Sequence, residues 1–214
     1  TTELRLALRD PEKANVILLG DPGSGKTAFM QGFTYDDKSI NYLTISVNIE
    51  RIIENNNGDK DAELANGLQN LVAEVSKYCK EQNIIMFLFM DEFHRIAMLS
   101  QSAVEAMKPI LEKSAYNGFR IVAATTFEEY DQWIAPNRAL DQRLLRMTIT
   151  ELPREAVLNI LKSRAKQYNV EDKAEDGIYE AVYDISKEIL ISNSQPRASI
   201  DIFNSLIGTC LLYT

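Results

Sequence analysis

Short apolar segments that alternate with helical patterns constrain the fold of this chain more than any other feature. Five such segments occur in the first 150 residues, at 16–19, 42–47, 84–90, 119–123 and 146–149. Most of them lack an alternation of apolar and polar residues, which is typical of strands covered on both faces in a parallel sheet. We therefore predict an α/β fold with a doubly wound, five-stranded parallel sheet.

Two segments between the predicted strands have the spacing of amphipathic helices. Residues 61–80 and 102–116 both place apolar side chains three and four positions apart. Pro109 lies inside the second segment, where it removes one backbone hydrogen bond and should bend the helix. Strands and helices in this order form βαβ units, whose crossovers place helices on both faces of the sheet.

Strand patterns stop after Pro153, and only helical patterns follow. These patterns cover residues 154–168, 174–190 and 196–212. A change from mixed to purely helical patterns indicates a boundary between two domains of different architecture. We therefore predict an α/β domain over residues 1–150 and a small all-α domain over residues 151–214.

Composition and charge limit the kind of partner. Acidic residues outnumber basic residues by 31 to 23, and this negative field argues against nucleic acid as a partner. The apolar runs are far shorter than the roughly 20 residues that span a bilayer, and the first residues lack a signal-peptide pattern. Cys79 and Cys210 have no disulfide or metal-site spacing. These features predict a cytoplasmic protein without membrane contact, in which both cysteines are reduced thiols.

A glycine-rich segment directly follows the first predicted strand. Residues 20–27 read GDPGSGKT and match the full phosphate-loop pattern G-x-x-x-x-G-K-[ST]. Glycines leave room for backbone N–H groups to face phosphates, and the next helix adds the positive end of its dipole. The residues predicted to bind the nucleotide here are Asp21, Pro22, Gly23, Ser24, Gly25, Lys26 and Thr27. The alternative, a glycine-rich turn without a ligand, is disfavoured by the strand before it and the helix after it.

Two residues of this loop have specific expected roles. Lys26 is expected to reach the β- and γ-phosphates, and the Thr27 hydroxyl is expected to take one Mg²⁺ position. Two adjacent acids, Asp91 and Glu92, end the most apolar predicted strand. We expect Asp91 to hold Mg²⁺ and Glu92 to polarise the water that attacks the γ-phosphate. The alternative is that both acids only end the strand and face solvent. No N-K-x-D guanine-binding pattern occurs in the sequence, which favours ATP over GTP.

Four segments of the chain carry a resemblance to one protein family. Residues 90–94 read MDEFH, residues 106–111 AMKPIL, residues 118–130 GFRIVAATTFEEY and residues 138–144 RALDQRL. They resemble the IDEIH, LKPAL, GELR…GATTxxEY and AALERRF segments in the first ATPase domain of the Clp family. Clp proteins are ring-forming AAA+ unfoldases and disaggregases. The resemblance covers the chain from Leu4 to its end and implies an AAA+ large domain followed by a small helical lid domain.

The resemblance implies roles for three further residues. Thr126 matches the sensor-1 position, which holds the γ-phosphate or the attacking water, although a shift of one residue would give this role to Thr125. Arg143 matches an arginine finger that reaches the γ-phosphate of the neighbouring subunit, but Gln142 replaces the first of the family's two adjacent arginines. Arg197 resembles a sensor-2 arginine, which the first Clp domains often lack. The alternatives are an ordinary strand-end threonine, a surface arginine and a charge at a helix start.

Other residues are interpreted as structural. His94 is the only histidine of the chain, and Clp proteins also carry a histidine there, but Glu92 already supplies the base that phosphoryl transfer needs. We therefore interpret His94 as a structural residue. Tyr130 and Trp133 are interpreted as packing residues rather than as a platform for a nucleotide base.

The chain departs from the family in one segment. Clp motors grip polypeptide with an aromatic residue on a pore loop between the second strand and the next long helix, whereas residues 52–60 read IIENNNGDK. Family residues that precede Leu4 and help to enclose adenine are missing or reduced here. Because the sequence starts at Thr1 without a methionine, we expect it to be an excised piece of a longer protein. Because this segment has no aromatic residue, the sequence does not decide whether the protein threads polypeptide.

The combined features predict a Mg²⁺-dependent ATPase with ATP as its substrate. We expect it to act as a Clp-like chaperone module on protein substrates or partner subunits, as a homo-oligomer that is a hexamer in the parent protein. One alternative is an ATP-gated scaffold that does not thread a substrate. Another is a DNA-linked AAA+ factor, which the acidic composition disfavours.

Overall fold

The computed structural model describes residues 2–9, 15–36, 42–53, 60–170, 177–190 and 194–212. The chain divides into two compact units. The first contains the residues up to Leu19 and Lys26–Thr148, and the second contains Gly20–Gly25 and the residues from Ile149 onward. No pattern in the sequence predicted that the six loop residues Gly20–Gly25 belong to the second unit. Residues 54–59, which include most of the aromatic-free segment, lie outside the described residues.

The first unit is built on one parallel sheet. Its strands are β1 (Val16–Leu19), β2 (Tyr42–Val47), β3 (Ile85–Met90), β4 (Phe119–Thr125) and β5 (Leu145–Thr148). Their order in space is β2-β3-β4-β1-β5, and every neighbouring pair is parallel. The predicted five-stranded parallel sheet is confirmed. The bounds of β1 and β2 agree with the prediction, whereas β3 begins one residue later, β4 is two residues longer and β5 is shifted by one residue.

Helices of very different lengths surround the sheet. They are α1 (Thr2–Arg9), α2 (Lys26–Asp36), α3 (Ile49–Ile53), α4 (Lys60–Gln82), α5 (His94–Leu99), α6 (Gln101–Lys113), α7 (Phe127–Glu129) and α8 (Arg138–Asp141). A 3-10 turn at Ala115–Asn117 follows α6, so the helix predicted at 102–116 ends earlier, and Pro109 lies inside it. A π-helical turn at Tyr130–Ile134 follows α7. Most of the unpredicted helices have only three to eight residues, too few to show a helical period in sequence.

Burial on both faces of the sheet explains the apolar strands. Met86, Leu88 and Met90 of β3 belong to a core cluster that also contains the buried side chains of α4 and α6. On the opposite face, the ring of Phe87 meets the ring of Phe33 edge to face, with centroids 5.9 Å apart. A strand that is buried on both faces has no position for a polar side chain, which accounts for the continuous apolar run.

The described residues of the second unit form three helices. They are α9 (Arg154–Gln167), α10 (Ile178–Ile189) and α11 (Arg197–Leu212). Their shared core includes Leu161, Val182 and Phe203, all nearly inaccessible to solvent. The three predicted helical segments agree with these helices, except that α10 begins at Ile178 and residues 171–176 lie outside the described part. Across the described residues, no helix combines the length and the apolar character needed to cross a bilayer.

One buried asparagine joins several elements of the first unit. The side-chain amide of Asn15 donates to the Leu111 carbonyl at 2.7 Å, and its carbonyl oxygen accepts from the Ile121 N–H at 2.9 Å and the Ser114 hydroxyl at 3.0 Å. The backbone carbonyl of Asn15 accepts from the Leu145 N–H at 2.8 Å. Asn15 therefore links the start of β1 to α6, β4 and β5, and nothing in the sequence distinguished it.

Replacement of Asn15 tests this network. Asn15→Ala leaves the Ile121 N–H buried without its partner, which costs about 1–3 kcal/mol. It also removes one of two donors to the Leu111 carbonyl, which keeps only the Ser114 hydroxyl at 3.0 Å. We expect the free energy of unfolding, measured by urea denaturation, to fall by about 2–4 kcal/mol. The control is Asn70→Ala on the exposed side of α4, which should change stability by less than about 0.5 kcal/mol. Equal effects of the two substitutions would contradict the role of Asn15.

Candidate functional site

In the first unit, the residues singled out in the sequence follow the carboxyl ends of neighbouring strands. Asp91 and Glu92 come directly after β3, and Thr126 comes directly after β4. Lys26 and Thr27 are the first two residues of α2, the helix that follows β1 along the chain. Because β4 lies between β3 and β1 and all three are parallel, their carboxyl ends meet at one edge of the sheet.

Thr27 and Asp91 are in direct contact. The Thr27 hydroxyl donates to Asp91 Oδ2 at 2.7 Å, and the Glu92 N–H donates to Asp91 Oδ1 at 3.0 Å. Thr27 is exposed and Asp91 is half-buried, so a ligand can approach both. A hydroxyl and a carboxylate are the hard oxygen donors that Mg²⁺ prefers, and these two side chains therefore fit a Mg²⁺ site.

Glu92 occupies an unusual backbone conformation. Its φ is +53°, in the left-handed region where a residue other than glycine costs of the order of 1–3 kcal/mol. The turn is fixed on both sides, because the Phe93 N–H donates to the Ala124 carbonyl at 2.9 Å and the Arg95 N–H donates to the Glu92 carbonyl at 3.0 Å. The Glu92 side chain is 55% exposed, so it neither lies in the core nor extends freely into solvent.

Burial and neighbouring charges affect the acidity of Glu92. Burial raises the pKa of Glu92, and the negative charges of Glu129 and Asp91 add to this effect, whereas His94 and Lys26 oppose it. A carboxylate whose pKa is raised binds a proton more readily, which suits a general base. A cavity of about 200 Å³ lies beside Glu92 at the ends of β2 and β3.

The two threonines at the end of β4 have different hydrogen bonds. Thr125 is fully buried, and its hydroxyl donates to Glu129 Oε2 at 2.9 Å. The Thr126 oxygen instead accepts from the Glu129 N–H at 3.2 Å, while the Thr126 N–H donates to Glu129 Oε2 at 3.1 Å. Thr126 is half-buried whereas Thr125 is fully buried, so Thr126 is the more accessible of the two. The geometry therefore favours Thr126 over Thr125 as the group that contacts a substrate.

Glu129 is a residue of this site that the sequence reasoning missed. Residues 126–129 form a capping box, in which Thr126 caps α7 and Glu129 returns to the Thr126 backbone. The T-x-x-E pattern was visible in the sequence and is a known helix-start signal. Burial would raise the pKa of Glu129, but hydrogen bonds from Thr126 and Thr125 and the interaction with His94 hold it below its usual value.

Arg143 is held by groups of its own unit. Its guanidinium donates to the Ala139 carbonyl at 2.7 Å and to Glu112 Oε2 at 3.1 Å. Its Nε is buried and has no hydrogen-bond partner within the described part of the chain. The structure thus gives Arg143 partners in α6 and α8 rather than at the ends of β3 and β4. Glu112 is a partner that the sequence reasoning missed.

Within the second unit, the phosphate loop packs against the start of α11. The loop is turned by a bond from the Ser24 N–H to the Asp21 carbonyl at 3.1 Å, and the Ser194 N–H donates to the Pro22 carbonyl at 3.2 Å. Gly23 has φ +85°, and a Cβ built on it would lie 2.7 Å from the Cβ of Arg197. Only glycine fits this position.

The loop contains an unpaired polar atom. The Ser24 hydroxyl is buried, and among the described residues it has no hydrogen-bond partner. A buried hydroxyl without a partner costs free energy, and a bound phosphate oxygen would satisfy it. Arg197, whose side chain is 65% exposed, lies 3.6 Å from Asp201 through its Nε and can therefore reach solvent or a ligand.

A buried polar network fixes the turn that carries Arg197. The side-chain amide of Gln195 donates to the Ser186 hydroxyl at 2.8 Å and accepts from the Ser199 hydroxyl at 2.7 Å. The Gln195 N–H donates to Glu151, whose other oxygen accepts from Lys187 at 2.7 Å. The hydrogen bond from Lys187 lowers the pKa of Glu151. The sequence reasoning missed these supporting residues, because each is an ordinary polar residue in its own segment.

Comparison with known proteins relates the chain to one family. The family model described as "ATPase family associated with various cellular activities (AAA)" matches residues 16–150, more than half of the chain. The chaperone protein ClpB of Malacoplasma penetrans is 25% identical over 209 residues, which cover 90% of this chain and 28% of that protein. ClpB of Aquifex aeolicus is 30% identical over 209 residues, which cover 88% of this chain and 19% of that protein. The chain thus spans less than a third of these relatives.

Solved structures share the fold. The closed state of Hsp104 with ATPγS and FITC-casein has a TM-score of 0.78 and 20% identity, over 99% of this chain and 38% of that chain. The extended conformation of the S. cerevisiae Hsp104–casein complex has a TM-score of 0.77 and 21% identity. The predicted resemblance to a Clp-family ATPase domain is confirmed, and the chain belongs to the ATPase family associated with various cellular activities.

Proposed function

We propose that this chain binds ATP with Mg²⁺ and hydrolyses it. The observation that carries the proposal is the 2.7 Å contact between the Thr27 hydroxyl and Asp91 Oδ2, with Glu92 as the next residue. In the proposed site, residues 20–27 bind the phosphates through backbone N–H groups and Lys26. Thr27 and Asp91 hold Mg²⁺, which supplies positive charge next to the phosphates. The unpaired Ser24 hydroxyl supports a phosphate ligand at the loop.

Hydrolysis needs a base and a group that orients the water. In the proposed mechanism, the Glu92 carboxylate accepts a proton from water while the water oxygen bonds to the γ-phosphorus. The bond between the γ-phosphorus and the bridging oxygen breaks, and ADP leaves with that oxygen. Thr126 donates its hydroxyl hydrogen to the γ-phosphate or holds the water, and Arg197 contacts the phosphates bound at the loop.

We infer that Arg143 acts on the ATP of a neighbouring subunit. A permanent positive charge at the γ-phosphate stabilises the charge that develops during transfer. The side chain of Glu112 is 63% exposed, whereas that of Arg143 is 31% exposed. An ion pair with so exposed a partner contributes roughly 0–1 kcal/mol, so the γ-phosphate of a neighbour can replace Glu112 at little cost. This proposal requires a homo-oligomer, such as the hexamer expected in the parent protein.

The proposed partners are proteins. The similar ClpB proteins are chaperones, and the two similar Hsp104 structures contain casein. We therefore propose that ATP turnover by this module acts on protein substrates or partner subunits. A second candidate is an ATP-gated scaffold, which the absence of an aromatic residue at 52–60 favours. A DNA-linked factor is opposed by the net charge of −8.

Substitution of Glu92 tests its proposed role as the base. Glu92→Gln keeps the size of the side chain but removes its ability to accept a proton. Because general-base catalysis contributes about 10²–10⁴-fold, we expect phosphate release to fall by at least about 100-fold, while calorimetry shows ATP affinity close to that of the unaltered chain. The control is Glu128→Gln, an exposed neighbouring carboxylate, which should leave both quantities unchanged. Turnover retained by Glu92→Gln would exclude Glu92 as the base.

Two glycine substitutions test whether the loop at residues 20–27 is the phosphate site. Gly23→Ala and Gly177→Ala both place a Cβ on a residue with positive φ, but only Gly23 has neighbours within 4 Å. Both should lower stability by about 1 kcal/mol or more, measured by denaturation. Only Gly23→Ala should weaken ATP binding, because the loop must move away from Arg197. Equal ATP affinities of the two variants would count against the loop as the phosphate site.

Mixtures of two variants test whether Arg143 acts on the ATP of a neighbouring subunit. Arg143→Ala and Glu92→Gln should each lose turnover when assayed alone, because each lacks one half of the proposed site. A mixture of the two should regain activity, since a Glu92→Gln chain can supply Arg143 to an Arg143→Ala neighbour. Arg138→Ala, an exposed arginine in α8, is the control and should stay active alone. No regain at any mixing ratio, at concentrations where the unaltered chain turns over ATP, would exclude the action of Arg143 in trans.

A further inference from the structure

We propose that His94 and Glu129 are positioning residues that hold the Glu92 carboxylate next to the turn formed by Thr125 and Thr126. The inference deepens the proposed hydrolysis and rests on it. In this role His94 does not touch the substrate. It acts through Glu92, and it couples the proposed base to the threonine that contacts the γ-phosphate.

The contacts of His94 define this role. The ring is buried, with 7% of the residue exposed. Its Nδ1 lies 3.0 Å from the Thr125 hydroxyl oxygen, 3.2 Å from Glu129 Oε2 and 3.6 Å from Glu92 Oε2. One nitrogen thus faces three oxygen atoms, which come from β4, from α7 and from the turn after β3. The three elements are brought together at this single atom.

The oxygen atoms around Nδ1 determine which ring nitrogen of His94 carries the hydrogen. A bare Nδ1 would direct a lone pair at two carboxylates, which are acceptors only when ionised. The Thr125 hydroxyl hydrogen is already donated to Glu129, so the Thr125 oxygen is available to accept. Nδ1 therefore carries a hydrogen, which it donates to the Thr125 oxygen at 3.0 Å, and the carboxylates of Glu129 and Glu92 lie beside this N–H, 3.2 and 3.6 Å from the nitrogen.

Glu129 anchors the other side of the arrangement. Its Oε2 accepts from the Thr125 hydroxyl and the Thr126 N–H, at 2.9 and 3.1 Å, and lies 3.2 Å from His94 Nδ1. Two donors on one oxygen fix the carboxylate, and the fixed carboxylate and the Thr125 hydroxyl together fix the ring of His94. Glu129 therefore connects the backbone of Thr126 rigidly to the ring of His94.

Glu92 is the member of the group that needs such support. Its side chain is more than half exposed, and a free glutamate side chain samples several rotamers unless a contact restricts it. A displacement of about 1 Å from the productive geometry can lower a rate by about 100-fold. The His94 N–H attracts the carboxylate and restricts it to the side of the turn that faces Thr125 and Thr126.

Glu92, His94 and Glu129 also place ligand atoms within 4.8 Å of one another, a spacing that a transition metal could use. The hydrogen bonds to Thr125 and Thr126 already account for the positions of the His94 and Glu129 atoms, so the geometry favours the positioning role. A metal at these residues is an outcome that the experiment separates from it.

The test compares His94→Asn with His94→Leu, two substitutions of nearly equal size. The asparagine amide can donate a hydrogen from close to the Nδ1 position, whereas leucine cannot. We expect His94→Leu to lower kcat by about 10-fold or more, with KM and the calorimetric Kd for ATP within about twofold, because only the placement of the base is affected. His94→Asn should recover most of kcat. Thermal unfolding midpoints of both variants show whether either has lost its fold.

Glu129→Gln keeps the inference testable if His94→Leu does not fold. It should lower kcat in the same way, with KM and the calorimetric Kd for ATP within about twofold, because the fixed carboxylate that holds the ring of His94 is lost. Equal kcat values for His94→Leu and His94→Asn, or a change in KM and Kd without a change in kcat, would overturn the inference. Loss of wild-type activity with 1,10-phenanthroline in excess Mg²⁺ would overturn it in favour of a metal.

The wild-type chain distinguishes this inference from the proposed function. If the unaltered chain neither binds nor hydrolyses ATP, the proposed function falls and the positioning role falls with it. If the unaltered chain hydrolyses ATP and the His94 and Glu129 variants match it, only the positioning role is wrong. The exposed Glu128→Gln variant is the control for a nonspecific loss of a negative charge near α7.

Discussion

Parallel pairing of β3, β4 and β1 is the constraint on which the candidate site of the first unit depends. In a parallel sheet every strand ends at the same edge, so residues that follow different strands become neighbours without being close in sequence. Thr27 and Asp91 are 64 residues apart and yet share a hydrogen bond. His94 and Thr125 are 31 residues apart and also share one. If β4 ran antiparallel to β3, the ends of these two strands, and with them His94 and Thr125, would lie at opposite edges.

The structure concentrates strain and support at the same place. The left-handed backbone of Glu92 is unfavourable by itself, and it persists because the Phe93 N–H is bonded to β4 and the surrounding core is tightly packed. Next to it, the capping box of Thr126 and Glu129 gives α7 a fixed start. A flexible candidate base therefore lies between rigid neighbours, which is the arrangement that a positioned catalytic group requires.

The second unit supports the loop residues by different means. Gly23 allows a close approach to Arg197, and the buried Gln195 side chain holds the turn from which α11 starts through Ser186 and Ser199. Every buried polar atom of this small network has a partner, which makes such a network rigid. The placement of Arg197 thus depends on residues in α10 and α11 rather than on its own side-chain contacts.

Local patterns in the sequence determined the strands, the phosphate loop and the acidic pair, because burial on both faces and the needs of phosphate binding act on consecutive residues. The bounds of β1 and β2 and the parallel sheet were predictable for this reason. Only the tertiary structure decided the strand order, the pairing of Arg143 with Glu112, the contacts of Asn15 and His94, and the packing of residues 20–25 with the second unit. These features depend on contacts between residues that are distant in sequence, and no local pattern encodes the register that brings such residues together.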